Sequence, residues 1–325
     1  MTHAIRFDAP GGPDVLQWVE VTVGQPGKGE VRLRQTAIGV NFVDIYYRKG
    51  VYPPPGGYPF VPGQEGAGVV EAVGEGVTGV KPGDRVVYEG SPGAYAEERL
   101  VPAERLIKLP DDLDEQTAAA VFLKGVTVQC LLRRTFRIVK GQTILFHAAA
   151  GGVGSIACQW AAGLGVTVIG TVGSDDKVDL AHANGCAHVI NYGREDFVAR
   201  VREITGGAGV DVVYDSVGKD TFPGSLDCLK PMGMWVSFGQ SSGLPPEFPI
   251  GLLQRKGSLF ATRPTINHYL AKRADLEAAA GELFAALRNG TVRVAVNLKP
   301  PLKDAAEAHR AIEARKTTGA VVLIP

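Results

Sequence analysis

The first residues able to do chemistry are a cluster of glycines. Thr143-Ile144-Leu145-Phe146-His147 has the pattern of an apolar strand. It passes through Ala148-Ala149-Ala150 into Gly151-Gly152-Val153-Gly154, and Ser155-Ile156-Ala157 then opens an apolar helix. Tiny residues let the backbone approach a pyrophosphate closely. The N–H groups at a helix start, which have no partner inside the helix, can bind it. The competing reading is a glycine-rich turn that binds nothing. Position decides between them: the cluster opens the first of several strand–helix–strand units, where dinucleotide-binding folds make their phosphate contact. Gly151, Gly152, Val153 and Gly154 are therefore expected to hold a dinucleotide.

The next strand should end beside the adenosine ribose, about 20 residues on. Its tip reads Gly170-Thr171-Val172-Gly173-Ser174-Asp175-Asp176-Lys177. An NAD site would place an acid at the strand tip. Here small residues, Gly173 and Ser174, stand there, and Lys177 follows one turn later. Asp175 and Asp176 fit the first turn of a helix capped by Ser174. Lys177, with Tyr192 after the following strand, suits a 2′-phosphate. NADP(H) is the expected cofactor, with its strictness over NADH left open by the two aspartates.

Metal chemistry finds few donors. The first 124 residues hold His3 and no cysteine; the other histidines are His147, His182, His188, His268 and His309. A catalytic zinc needs about three Cys, His or carboxylate ligands and a structural one about four. Neither set can be assembled from the N-terminal region, so no metal is expected. His147, at a strand end beside the glycine turn, reads as a packed or hydrogen-bonded core histidine.

These residues need a scaffold, and the pattern supplies two kinds. Up to about residue 124 the chain is mostly β: alternating runs such as Val31-Arg32-Leu33-Arg34 and Gly68–Gly74 are separated by Gly/Pro turns, with a stiff proline-rich loop at Tyr52–Pro59. From 125 to 260, apolar strands alternate with amphipathic helices, which indicates a parallel sheet covered on both faces. Helices are expected at about 175–184, 195–205, 221–230, 272–288 and 303–315. The segment 261–325 is expected to return to the N-terminal β-rich domain. The fold class is α/β, a doubly wound parallel sheet plus a β-rich domain.

The 325 residues carry no net charge, which gives no electrostatic case for a nucleic-acid or anionic-membrane partner. No apolar run is long enough to span a bilayer, and the N-terminus enters a strand pattern with no signal-peptide core. Cys130, Cys158, Cys186 and Cys228 stand alone, as buried thiols of a cytoplasmic protein would.

Taken together, the motifs resemble the medium-chain dehydrogenase/reductase superfamily, in its zinc-free quinone oxidoreductase (zeta-crystallin-like) branch. The likeness covers essentially the whole chain. Gly11–Leu16, Gly39–Asp44, Pro62–Val70, Gly83–Val86, Gly93–Glu97, the Ala148–Gly154 turn and Tyr214–Gly218 carry it. Phe122-Leu123-Lys124-Gly125, Gly170–Gly173 and Thr262-Arg263-Pro264 look like the bacterial NADPH:quinone reductases. In zinc-dependent relatives a metal-binding cysteine occurs at Asn41 and a histidine at Gln64. The resemblance implies a GroES-like domain plus a Rossmann domain with an active cleft between them, and commonly a homodimer.

The implied activity is reduction of small quinones by NADPH. Such acceptors are already electrophilic, so orientation and relief of charge on oxygen suffice. Asn41, Tyr46 and Tyr52 are the candidates for the nicotinamide and acceptor end. Asn41 would donate its amide to the acceptor oxygen or fix the nicotinamide; the tyrosines would stack or hydrogen-bond. Lys124 and Thr127, read as the start of the helix entering the Rossmann domain, would line the cleft. Ser216 lies in the Tyr214–Gly218 match. Phe238, Gly239 and Ser241, after a sheet strand, would cover the nicotinamide or pyrophosphate, as would Thr262 and Arg315. Alternatives are an NADPH-dependent enone or enal reductase, and a non-catalytic crystallin-like or AU-rich RNA-binding protein.

Overall fold

The computed structural model describes every residue except Arg315, Lys316 and Thr318. It forms two compact units, one of Met1–Lys124 with Val294–Pro325, the other of Gly125–Arg293.

In the first unit, β1 (Thr2–Arg6) and β2 (Gln17–Val21) form an antiparallel hairpin. β3 (Glu30–Gly39), β4 (Glu65–Val73), β5 (Arg85–Glu89) and β7 (Ile107–Lys108) are successive neighbours in one antiparallel sheet, and β6 (Glu98–Pro102) also pairs β3. Alternation in β3 sends Val31 and Leu33 into the core while Arg32 and Arg34 face outward. They pack with Ile5, Val70, Val86 and Tyr95. The short helix α1 (Phe42–Arg48) follows β3 directly, starting at Asn41.

The helix α2 (Glu115–Gln129) leads into the second unit. It starts well before the expected point, because Asp114 caps it: its carboxylate accepts from the Thr117 N–H at 2.9 Å and the Thr117 hydroxyl at 2.6 Å. Lys124 and Thr127 therefore sit inside a helix rather than at its start.

The second unit holds six parallel strands: β8 (Thr143–Phe146), β9 (Thr167–Val172), β10 (His188–Asn191), β11 (Val210–Asp215), β12 (Leu229–Ser237) and β13 (Phe260–Thr262). Their order is β10-β9-β8-β11-β12-β13. This is the doubly wound dinucleotide-binding order, in which direction reverses between the first and fourth strands. β11 is buried at every residue, as a strand covered on both faces should be. The helices α3 (Gly152–Gly163), α4 (Val178–Ala183), α5 (Phe197–Ile204), α6 (Gly224–Asp227), α7 (Gly251–Arg255) and α8 (Ile266–Tyr269) connect these strands or follow them. The helix expected at 221–230 shrinks to α6, because β12 begins at Leu229.

One boundary is corrected. The helix α9 (Arg273–Arg288) groups with the second unit, so residues 261–293 do not belong to the returning segment. A Cβ at Gly125 would lie 2.4 Å from Leu283 Cδ1, and Glu282 accepts from Gln129 Nε2 at 3.1 Å. That fit joins α9 to residues some 150 positions earlier, beyond the reach of local pattern. After it, β14 (Val296–Leu298) and β15 (Ala320–Leu323) join the first unit's sheet through β15 and β3, with α10 (Ala305–Glu313) between them.

Candidate functional site

The glycine turn sits at the C-terminal end of β8. Ala148 takes a left-handed backbone (φ 55°), and its carbonyl accepts from the Gly151 N–H at 2.9 Å, closing a tight bend. The Ser155 N–H bonds back to Gly151 O at 2.8 Å. The N–H groups of Gly152, Val153 and Gly154 are thus the ones a helix start leaves without intrahelical acceptors. Gly154 has a packing reason as well: a Cβ there would meet Ala148 O at 2.2 Å and Ala149 Cα at 2.8 Å.

The neighbouring strand ends carry the other expected contacts. At the end of β9, a Cβ on Gly173 would lie 3.0 Å from the Tyr192 hydroxyl, so the two residues abut. Past β11, the buried Asp215 carboxylate accepts from the N–H groups of Val217 (2.9 Å) and Gly218 (3.0 Å), which shapes the loop holding Ser216. Burial alone would raise Asp215, but the contacts around it, these N–H groups and the Thr221 hydroxyl among them, hold the acid below its usual range. Past β12, the Phe238 N–H donates to Asp215 O at 2.8 Å and the Ser241 N–H to Ser216 O at 3.1 Å. Gly239 fits only because it lacks a side chain against Ser216. Arg263, following Thr262 at the end of β13, reaches Ser237 Oγ at 3.0 Å and the Gln240 side chain at 2.5 Å. Gly151–Gly154, Gly173, Tyr192, Ser216, Phe238, Gly239, Ser241 and Thr262 therefore line one edge of one sheet, the C-terminal edge where such sheets bind ligands.

His147 is fully buried, with its ring nitrogens 2.9 Å from Thr171 Oγ1 and 3.1 Å from Ser225 Oγ. Burial lowers its pKa, consistent with a neutral, hydrogen-bonded core residue.

In the first unit a charge cluster surrounds Asn41. Glu65, fully buried in β4, accepts from Asn41 Nδ2 at 2.8 Å, Lys124 Nζ at 3.2 Å and the Leu123 N–H at 2.6 Å. Three donors, one of them cationic, satisfy a carboxylate that burial would otherwise penalise. The Asn41 N–H donates to Asp44 at 2.8 Å. Burial pushes Asp44 up to about 7, against the pull of that N–H and the Lys124 ammonium. Tyr46 and Tyr52 form an edge-to-face pair 5.3 Å apart, both half-buried. Gln64 is buried, and its Nε2 has no hydrogen-bond partner among the described residues.

Comparison with known proteins fits this geometry. An alcohol dehydrogenase GroES-like domain matches residues 27–111, and a zinc-binding dehydrogenase domain matches 152–284. A quinone oxidoreductase of Pseudomonas aeruginosa is 51% identical over the full length of both chains. A 2-haloacrylate reductase of a Burkholderia species is 50% identical over all of this chain and 99% of its own. The crystal structure of Escherichia coli quinone oxidoreductase complexed with NADPH superposes with a TM-score of 0.97 at 49% identity, covering all of both chains. The chain belongs to the quinone oxidoreductase branch of the medium-chain dehydrogenase/reductases.

Within this quinone oxidoreductase framework several readings change. Ser174 stands at a helix start, yet its side chain makes no capping bond. Asp175 instead bonds Asn191 Nδ2 at 2.7 Å and pairs with Arg194. Lys177 is half-buried at the end of the short 3₁₀ turn Asp175–Lys177. Lys124, expected at a helix start lining the cleft, is buried against Glu65. Thr127 lies half-buried one turn further along α2. Arg315 lies outside the described residues.

Sequence reasoning missed Glu65 and Arg194 as site residues, and it named Gln64 and Arg263 only within the motif matches. Glu65 left a trace: an acid leading directly into the small and apolar run Gly66–Val70 has no reason to be there unless it is paired. Arg194 left none, because its partner is 19 residues away.

Proposed function

We propose that the chain is an NADPH:quinone oxidoreductase that works without zinc and passes reducing equivalents from NADPH to small quinones. The observation that carries the reading is the C-terminal sheet edge, where a tight glycine turn, an open helix start and the abutting Gly173 and Tyr192 fit a phosphorylated dinucleotide. The bound cofactor supplies the hydride. Gly152, Val153 and Gly154 would hold its pyrophosphate, and Lys177 with Tyr192 its 2′-phosphate. Phe238, Gly239, Ser241 and Thr262 would lie against its nicotinamide half. The Asn41 amide N–H groups already face Glu65 (2.8 Å) and the Gly39 carbonyl (3.4 Å), so fixing the nicotinamide suits it better than donating to the acceptor. Tyr46 and Tyr52 would stack on or hydrogen-bond the acceptor.

The donor set speaks against zinc. Where zinc-dependent relatives place cysteine and histidine, this chain has two amides, and the cation beside Glu65 is the Lys124 ammonium. Among the described residues no group of three or more His, Cys, Asp or Glu could hold a metal ion. No described helix is long and apolar enough to cross a membrane, and a cytoplasmic protein is proposed. A homodimer is proposed as well: β13 is an edge strand with Phe260 57% exposed, an open ladder that a second copy could cover.

The test is NADPH consumption with benzoquinone and naphthoquinones; binding of NADPH without turnover of any quinone would overturn the assignment. The 2-haloacrylate reductase relative favours a second reading, reduction of an activated carbon–carbon double bond. Assaying 2-haloacrylates and 2-alkenals beside quinones separates the two. A preference for the alkenes would favour the second.

A further inference from the structure

An acid at the tip of β9 is what an NAD site uses to grip the ribose diol; this chain has small residues at the tip itself, and its nearest acid, Asp175, lies just beyond it, three residues past Val172. The structure shows it occupied. One carboxylate oxygen accepts from Asn191 Nδ2 at 2.7 Å, and the other is paired with the Arg194 guanidinium. Asn191 is itself buried and fixed: its Oδ1 accepts from the Gly193 N–H at 3.0 Å and its N–H donates to Glu195 at 3.1 Å. The acid is thereby tied to the end of β10. Both oxygens that a ribose diol would need are taken.

We propose that the Asp175–Arg194 pair sets the cofactor preference, with Arg194 as the positioning residue that keeps Asp175 away from the ribose. This rests on the nucleotide reading above and deepens it. A ribose 2′-phosphate carries about 1.5 to 2 negative charges near neutral pH. Asp175 and Asp176 beside it are offset by Lys177 and Arg194. Without Arg194, a bare carboxylate would repel the phosphate and could turn to accept from the two ribose hydroxyls of NADH. The pair adds little stability, since both side chains are mostly exposed (69% and 59%), so substitution should leave the fold intact.

The experiment measures kcat/KM for NADPH and for NADH with one quinone, in the wild type, Arg194→Ala and Asp175→Ala/Arg194→Ala. In Arg194→Ala the NADPH-over-NADH preference should fall about tenfold. The change should lie in the KM for NADPH, with kcat kept. The double variant should recover most of the preference, because the uncancelled charge is gone. The proposal is overturned if Arg194→Ala weakens both cofactors alike or neither, or if the double variant is no better than Arg194→Ala. A wild-type protein that binds neither nucleotide overturns the nucleotide reading itself, and this proposal falls with it. Nucleotide binding with an unchanged ratio overturns the proposal alone.

Discussion

Remove the Lys124 ammonium and the Glu65 carboxylate is left in the interior with only two neutral N–H donors. Breaking a buried ion pair from one side costs about 3 kcal/mol. Lys124→Met should therefore lower unfolding stability by about that much, and adding Glu65→Gln should restore most of it; urea denaturation reads both. His309 gives a second test at this scale. Burial, with the Arg48 charge, pushes it down to about 3 from an ordinary 6.5. Arg48 donates to Nδ1, so Nε2 carries the proton and faces the Tyr95 hydroxyl at 2.9 Å. The unfolded chain takes up the proton first, so this term is fully present above about pH 6.5 and is lost as the pH falls toward about 3. Asp44 and Glu89, both raised to about 7 mainly by burial, act with the opposite sign and lose stability as the pH rises to that value. His309→Gln should flatten the acid side of the stability–pH curve relative to wild type. An unchanged slope between pH 4 and 6 would count against a neutral buried histidine.

Among the elements, α3 and α9 show what a glycine does in two settings. At Gly154 an added methyl meets backbone atoms that cannot yield, so α3 must shift off the turn. Gly154→Ala should cost about 2 kcal/mol or more and weaken NADPH binding. At Gly281, exposed in α9, an added Cβ meets nothing within 4 Å. Gly281→Ala should stabilise by about 1 kcal/mol, the helix-propensity difference, and leave binding alone. Thermal shift with and without NADPH separates the two. The contrast also marks what was legible in the sequence. The glycine turn could be read because strand, turn and helix are contiguous, and its spacing is the motif. The α9 docking on Gly125, the Glu65–Lys124 pair and the Asp175–Arg194 pair could not, since each joins side chains 19 to about 160 positions apart. The early start of α2 was readable, because Asp114 and Thr117 form a local cap.

At the scale of the whole molecule, a parallel sheet in doubly wound order gathers glycines, a tyrosine and loop residues from separate strands onto one edge, while a distinct β-rich unit carries Asn41 and its charge cluster. The division places the sheet residues proposed to face the cofactor in a unit of their own, so changes in the first unit should alter turnover more than nucleotide affinity. Asn41→Ala is expected to reduce kcat with quinone by tenfold or more while the dissociation constant for NADPH moves by less than about threefold. A large loss of NADPH affinity would mean that Asn41 anchors the cofactor rather than only orienting its nicotinamide.

All of this depends on the sheet edge holding a phosphorylated dinucleotide. Titration calorimetry of NADPH, NADP⁺ and NADH into the purified protein tests it most directly. One nucleotide per chain is predicted, with NADPH tighter than NADH and binding strongly weakened in Gly154→Ala. Heat-silent titrations with all three, or equal affinity for NADPH in wild type and Gly154→Ala, would contradict the account.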